Sequence, residues 1–204
     1  MRKHKIIREA AYHGLPINAS KDHPCHGEIL DGIKQTMDHM VDAHSKVYFA
    51  RLDFKFPQDY VIPPGNQIFV DCQENLTQYL RRKGLDPHRV WAREETATER
   101  PHFHTCQILN GHKIQNVHGL RVKAEELWAK ALKIPSAAGL VDDCRKDRHG
   151  NPQKNGIMIH RDDKETFESC YRWASYLAKT RSKVPDHGKR FGVSQLPPSK
   201  PGDL

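Results

Sequence analysis

The chain has no long apolar run, and we therefore expect no membrane-spanning segment. Its longest apolar stretches, residues 47–50 and 157–159, fall far short of the roughly 20 apolar residues that cross a bilayer. The N-terminal stretch MRKHKIIREAAYHG is basic, but no continuous apolar segment follows it, so we expect no secretory signal. These absences predict a cytoplasmic protein without a membrane partner.

Cysteine is scarce and scattered, and the five residues form no CxxC pair. Such a set does not build a disulfide framework, so we expect reduced thiols. One local alternative is a structural zinc site, because Cys25 and His26 closely follow His23. No second half of a zinc motif follows at a usual spacing, so the competing interpretation is an ordinary loop. The chain also lacks a P-loop pattern, and we expect no fused helicase.

Positive charge is the main feature that the composition does supply. Lys and Arg total 33 against 25 Asp and Glu, which gives a formal charge of +8 and a pI of about 9.3. This balance favours polyanionic partners, through phosphate contacts that do not depend on base sequence. Many soluble proteins are mildly basic, so the charge supports a nucleic-acid function only together with a site.

Composition divides the chain into three predicted segments. Residues 1–26 are basic and rich in His, and we expect an N-terminal extension with weak structure. Residues 27–183 would form the folded domain. Residues 184–204 are basic and rich in Pro, and we expect a loosely ordered tail.

Hydrophobic periodicity predicts the order of helices and strands in the folded domain. The predicted elements are a helix (27–44), a strand (47–56), a helix ending at Gly84, two strands (88–95 and 102–110), a helix (120–132), a short strand (156–160) and a helix from Asp162 or Asp163 to about Arg181. From the first strand to the last, this is the split βαβ order.

The split βαβ order predicts an α+β fold, a ferredoxin- or RRM-like antiparallel sheet with helices on one face. The other face would be free for a ligand. The first and third strands would lie side by side at the centre. Asp53 would then lie on a strand next to the one that carries His102 and His104.

Two histidines, His102 and His104, flank Phe103 on the predicted third strand. Side chains two residues apart on a strand share a face, so both imidazoles can converge on one divalent ion. Glu94 ends the preceding strand, and the hairpin would bring it beside the histidines as a third ligand. Glu95 points the other way in a regular strand, although a bulge would exchange the two. The competing interpretation is an ordinary solvated histidine pair.

The last predicted helix carries Tyr176 and Lys179, which are three residues apart and share a helix face. Tyr176 lies off the apolar stripe, so its phenolate could attack a phosphate and join the protein to one DNA end. Lys179 could steady that phosphate or favour the phenolate. Tyr171 lies on the apolar stripe and is predicted to be core, which leaves one catalytic tyrosine. The competing interpretation is a surface tyrosine beside a solvated lysine.

The order of these motifs resembles the HUH endonuclease superfamily, which includes rolling-circle replication initiators of plasmids, viruses and phages. A His-Phe-His strand precedes a late helix with the sequence Tyr-Leu-Ala-Lys. The stretches VWARE, HFHTCQILNG and SYLAKTRSK are similar to the replication initiators of filamentous phages (inoviruses) and to relatives in prophages and mobile islands. VYFARLDFKFP resembles their first motif. The resemblance covers roughly residues 40–195.

The resemblance implies a metal-dependent nick in single-stranded DNA, usually in a hairpin origin. A 5′-phosphotyrosine link would form, and a 3′-hydroxyl would be freed to prime synthesis. Glu94, His102 and His104 would hold Mn²⁺ or Mg²⁺, and Tyr176 would be the nucleophile. Lys179 would be the downstream lysine, although it stands three residues after the tyrosine where some branches have four.

The resemblance also implies partners. These are a single-stranded or hairpin origin and the host replication machinery, in the cytoplasm of a bacterial host cell, and we expect a monomer. We assign DNA contacts to basic residues within or beside the motifs: Arg51, Arg93, Arg172 and Lys183.

Two other functions would use the same features. A regulator could keep the sheet and its basic surface for DNA binding without catalysis. A single-strand transposase or a mobilisation relaxase would use the same chemistry and rejoin the ends.

Overall fold

The computed structural model describes residues 5–95, 100–147, 149–180 and 189–196. In chain order the elements of these residues are β1 (Ile6–Ile7), β2 (Ala11–Tyr12), β3 (Leu15–Pro16), β4 (Cys25–His26), α1 (Gly27–Ala43), β5 (Lys46–Lys55), α2 (Gln67–Arg82), β6 (His88–Glu94), β7 (His102–Asn110), α3 (Val117–Leu132), β8 (Val141–Asp142), β9 (Ile157–His160), α4 (Lys164–Ala174), a 3₁₀ turn (Ser175–Ala178) and β10 (Phe191–Val193). The predicted α+β class is confirmed.

The main sheet has the strand order of a split βαβ unit. β10, β6, β7 and β5 lie side by side, and both β8 and β9 pair with the far edge of β5, all antiparallel. The predicted adjacency of the first and third strands is confirmed, because β5 pairs with β7. Between β8 and β9 the side chain of Asn155 takes the place of a strand. It accepts a hydrogen bond from the Arg51 N–H and donates one to the Arg51 carbonyl.

Helices cover both faces of this sheet, and the prediction of helices on one face is therefore wrong. The two helices inside the split βαβ unit, α2 and α3, do share a face, and they pack over Tyr48, Ala50, Leu52 and Phe54. The opposite face is packed against α1 and α4, which lie outside the unit, over Val47 and Phe49. This end of β5 is apolar on both faces, and leaving apolar area in water costs about 25 cal/mol per Å².

The N-terminal extension is ordered from residue 5 onward, contrary to the weak structure predicted for it. β1 pairs with β4, and β2 pairs with β3. Ile7, Ile17 and Cys25 are buried in the same core as α1 and α4. Strands of two residues carry too little periodicity to be recognised in a sequence.

The predicted tail also contributes to the sheet. β10 pairs with the edge of β6, which extends the sheet by one strand. Gly192 permits this close approach, because a Cβ at that position would collide with the indole of Trp91. The prediction of a loose tail is therefore wrong for β10, and residues 184–188 and 197–204 lie outside the described part of the chain.

The last helix is shorter than predicted and changes form before the tyrosine. Asp163, one of the two predicted caps, caps the N-terminus of α4, and α4 ends at Ala174. Ser175–Ala178 then form the 3₁₀ turn. Tyr171 is fully buried, which confirms its assignment to the core. None of the helices in the described residues combines the length and apolarity needed to span a membrane.

Candidate metal centre and tyrosine site

The hairpin of β6 and β7 brings Glu94, His102 and His104 together on one face of the sheet. Glu94 lies directly opposite His102 in the register, and His104 follows two residues later on β7. Because side chains alternate along a strand, both imidazoles point to the same face. We call these three residues the ligand triad.

The geometry of the ligand triad suits a divalent ion. The Nε2 atoms of His102 and His104 are 3.1 Å apart, and Glu94 Oε2 lies 3.8 and 3.3 Å from them, respectively. Such separations fit three ligands on one side of an ion at metal–ligand distances of about 2.1 Å. The group could hold a metal ion. A two-histidine, one-carboxylate set leaves further positions open for water or a phosphate oxygen.

The choice between Glu94 and Glu95 follows from the strand geometry. β6 runs without a bulge to Glu94, in register with β7. Glu95 instead forms an ion pair with Arg93, with 2.9 Å between Oε2 and Nη2. The side chain of Glu94 is 9% exposed and faces the histidines, so Glu94 completes the triad.

Asp53 lies behind His104 and orients it. Its Oδ2 is 2.7 Å from His104 Nδ1, an ion-pair contact rather than a well-aligned hydrogen bond. Asp53 is the residue opposite His104 in the pairing of β5 with β7. A group held at Nδ1 directs the lone pair of Nε2 toward the triad. The sequence predicted that Asp53 lies on the neighbouring strand, but no motif indicated a role for it.

Charges in this group are strongly coupled. Burial opposes ionisation of Asp53, but the charges of His104 and Arg51 outweigh burial and lower the pKa of Asp53 to about 2. Burial also disfavours the imidazolium form of His104, yet the carboxylate of Asp53 raises the pKa of His104. Burial and the neighbouring His104 lower the pKa of His102. Asp53 is therefore an anion near neutral pH, and His102 is a neutral imidazole suited to metal ligation.

Tyr176 lies beside the ligand triad on the 3₁₀ turn. Its ring centroid is 5.4 Å from that of His104, and the two rings meet edge to face at 84°. Two cations flank the ring: Arg51 Cζ lies 5.1 Å and Lys179 Nζ lies 4.6 Å from its centroid. The structure thus brings the predicted nucleophile next to both the predicted lysine and the predicted ligands.

The N-terminal segment anchors the turn that carries Tyr176. The backbone N–H of Asn18 donates to the Ser175 hydroxyl over 2.8 Å, just before the tyrosine. The backbone N–H of Thr180 donates to the Pro24 carbonyl over 2.9 Å, just after it. No motif indicated this contribution, because it depends on contacts between segments more than 150 residues apart.

The four predicted DNA contacts have different outcomes. Arg51 is 6% exposed, and its guanidinium lies beside Asp53 and over the Tyr176 ring, so it braces the site rather than meeting solvent. Arg93 is also buried and donates to the loop that precedes α2. A desolvated guanidinium with partners inside the protein is not available to a phosphate, and both assignments are corrected. Arg172 is exposed on α4, and Lys183 lies outside the described residues.

The alternative zinc site at His23, Cys25 and His26 does not form. Among the described residues, the ligand triad is the group whose His, Cys, Asp or Glu ligand atoms converge. Cys25 is instead buried, with its thiol directed at the Ser175 carbonyl. All five cysteines are buried thiols outside any disulfide, as predicted.

A family model matches residues 7–194 of the chain, and it describes the YagK/YfjJ C-terminal domain. The chain belongs to this family. Members of the YagK/YfjJ family are found in prophage- and mobile-element-associated proteins. The match includes the N-terminal strands and β10 as well as the motif-bearing sheet. No curated protein and no solved structure matches the chain.

Proposed function

We propose that this protein is a metal-dependent endonuclease that nicks single-stranded DNA, a replication initiator of the HUH type. The observation that carries the proposal is the ring contact of Tyr176 with His104, because it places a tyrosine beside a group that could hold a metal ion. Membership in a family from prophages and mobile elements supports it, because the motif segments resemble initiators from the same sources.

The proposed reaction is a transesterification at one DNA phosphate. Tyr176 Oη attacks phosphorus, the bond to the 3′ oxygen breaks, and the 5′ phosphate becomes linked to the tyrosine. The released 3′ oxygen takes up a proton and becomes the primer for synthesis. Arg51 and Lys179 place positive charge beside the ring, which favours the phenolate. A divalent ion at the ligand triad would polarise a phosphate oxygen.

The proposal includes the cofactor and the partners. The ion would be Mn²⁺ or Mg²⁺, since a carboxylate with open positions suits both and the imidazoles favour Mn²⁺. The substrate would be a single-stranded or hairpin origin, and the freed 3′-hydroxyl would pass to the host replication machinery. The formal charge of +8 supports attraction of the DNA backbone.

A covalent-adduct assay tests the proposal directly. The purified chain is incubated with a randomised single-stranded oligonucleotide pool, or with hairpins from the DNA that flanks its gene, in Mn²⁺ or Mg²⁺. We expect a protein–DNA adduct that resists denaturant, depends on the metal and disappears on adding a chelator. Sequencing the attached DNA would identify the nick site, and mass spectrometry would identify the modified tyrosine.

Two variants make this assay specific. Tyr176→Phe should abolish the adduct while DNA binding is retained. Tyr79→Phe, a matched change on α2 away from the ligand triad, should leave the adduct unchanged. The proposal fails if folded, metal-loaded wild-type protein forms no adduct with any pool.

The same experiments separate the alternatives. For a non-catalytic regulator, Tyr176→Phe would leave both DNA affinity and biological activity intact. A transposase or relaxase would add a second step, in which the 3′-hydroxyl of another oligonucleotide attacks the phosphotyrosine. A two-oligonucleotide assay, with strand joining as the readout, detects that step.

A further inference from the structure

A groove of about 420 Å³ lies between α4 and the segment that leads into β9, outside the ligand triad. One wall is α4, and the other is formed by residues 153–157. The lining side chains are Gln153, Lys154, Ile157, Glu165, Thr166, Ser169 and Trp173. The groove therefore combines one large aromatic side chain, one cation, one carboxylate and several neutral hydrogen-bonding groups.

The helix wall of the groove leads to Tyr176. Glu165, Ser169 and Trp173 are spaced by four residues, so they form one ridge along α4. Tyr176 follows three residues after Trp173, and the Arg51 guanidinium contacts both rings, with Cζ 5.3 Å from the centroid of Trp173 and 5.1 Å from that of Tyr176. A ligand in the groove would thus lie next to whatever occupies the tyrosine site.

Trp173 is the accessible tryptophan of the described residues. Trp91 and Trp128 are buried in the core of the other sheet face, whereas Trp173 is half-buried and lines the groove. Its inner side packs on Phe49, at 5.9 Å between ring centroids, and on Arg51, at 5.3 Å. These contacts fix the indole and leave part of it to the groove. A fixed aromatic ring beside a cation is the usual platform for an unpaired base.

The opposite wall is held rigidly. Asn155 bonds to the backbone of Arg51 at both the N–H and the carbonyl, which attaches residues 153–157 to β5. Gln153 donates to the carbonyls of Cys144 and Lys146. Lys154 therefore extends from an anchored segment and is exposed at the groove. An exposed ammonium is a point charge suited to a phosphate.

The carboxylate of the groove, Glu165, limits which types of ligand the groove can bind. Glu165 is exposed on the ridge, and a carboxylate accepts hydrogen bonds from an exocyclic amine but repels a carbonyl edge. Cytosine, adenine and guanine present such an amine, and thymine does not. The lining thus matches an amine-bearing base better than a phosphate alone.

We propose that this groove binds the unpaired base next to the scissile phosphate, with an amine-bearing base stacked on Trp173, its amine on Glu165 and its phosphate at Lys154. The inference rests on the proposed function, because it assigns a base subsite to the same single-stranded substrate. It adds a source of sequence preference that the ligand triad and Tyr176 do not supply.

Tryptophan fluorescence tests the stacking. The probes are single-stranded 12-nucleotide homopolymers of dC, dA and dT, added to the full-length Tyr176→Phe variant so that no cleavage occurs. We expect dC and dA to quench the emission, and adding Trp173→Phe should remove the quenching. Trp173→Leu should weaken binding of dC by about 5- to 150-fold, the range for loss of one stacked base.

Base preference provides a second and independent readout. Glu165→Gln should reduce the preference for dC over dT by about fivefold or more, because an amide can pair with either edge. Glu168→Gln, on the same helix but outside the groove lining, should leave the preference unchanged. Lys154→Gln should reduce the slope of log affinity against log salt by about 0.7, as for one lost single-strand phosphate contact.

The outcomes separate this inference from the proposed function. If DNA binds without quenching Trp173, and Glu165→Gln behaves like Glu168→Gln, the base subsite is wrong even though wild type still forms its covalent adduct. If neither adduct nor DNA binding is observed, both proposals are wrong. Quenching that needs Trp173, together with an altered base preference in Glu165→Gln, supports the subsite.

Discussion

Replacing Asp53 with asparagine removes one charge from the side chain that contacts His104, with almost no change in size. The contact of 2.7 Å between Asp53 Oδ2 and His104 Nδ1 sets the orientation of the imidazole, and the two side chains are 17% and 8% exposed. Loss of such a supporting partner weakens metal binding by about 10- to 100-fold. Because solvent screens this pair little, we expect the upper part of that range, about 2 to 2.7 kcal/mol.

Isothermal titration of Mn²⁺ into the metal-free protein measures this effect. The expected result is a higher dissociation constant for Asp53→Asn with an unchanged stoichiometry of one ion per chain. Asp42→Asn, the same change on the exposed surface of α1, is the matched control and should bind like wild type. A thermal denaturation curve establishes that each variant is folded.

The reasoning would be refuted by a folded Asp53→Asn variant that binds Mn²⁺ within twofold of a metal-binding wild type. That result would mean that the β-strand pairing alone orients His104. Absence of metal binding by wild type would instead contradict the assignment of the ligand triad. The two failures are distinguishable because they are measured on different proteins.

Two further predictions concern the surroundings of the site, and a third concerns His88 at the opposite end of β6 from Glu94. Arg51→Gln should slow adduct formation by about tenfold or more, because it removes a cation beside the Tyr176 ring. Metal affinity should be nearly unchanged. Equal losses of adduct formation and metal affinity would contradict this role of Arg51. Asn155→Ala should lower the free energy of unfolding in urea by about 2 to 4 kcal/mol, since buried backbone groups of β5 lose their partner. Burial lowers the pKa of His88 in the folded state. Between this pKa and the ordinary value of about 6.5, the unfolded chain therefore binds more protons than the folded chain. The contribution of His88 to stability is complete above pH 6.5 and is lost as the pH falls through the folded-state pKa. In this pH range His88→Phe should reduce the slope of unfolding free energy against pH by up to about 1.4 kcal/mol per pH unit. An unchanged slope would refute the role of His88 in the pH dependence.

Local pattern was sufficient for most elements of the sheet. The sequence predicted a strand at residues 47–56, and the predicted hairpin placed Glu94 beside His102, as the register of β6 with β7 confirms. Both predictions depend on the two-residue period of side chains along a strand, which is a local property. The same alternation could have indicated that Asp53 contacts His104, since the two side chains point to the same face of the sheet from adjacent strands.

Other features were not accessible to that logic. The two-residue strands of the N-terminus and β10 are defined by their partners rather than by their own periodicity. Arg51 and Arg93 were predicted to contact DNA because they are basic residues within the motif segments, whereas packing buries both. The sequence could assign Trp173 to a helix. Its position between Arg51 and the groove could not be predicted, because residues 153–157, which form the opposite wall, are brought to α4 only by folding.

The sequence by itself determined the order of helices and strands in the split βαβ unit, the position of the two histidines on one face and the core position of Tyr171, because each follows from the period of one element. Only the tertiary structure decided that helices cover both faces, that Asp53 supports His104 and that residues 18–24 anchor the turn of Tyr176. These depend on contacts between segments far apart in the chain. Their energies arise from burial and charge pairing that exist only once the chain has folded.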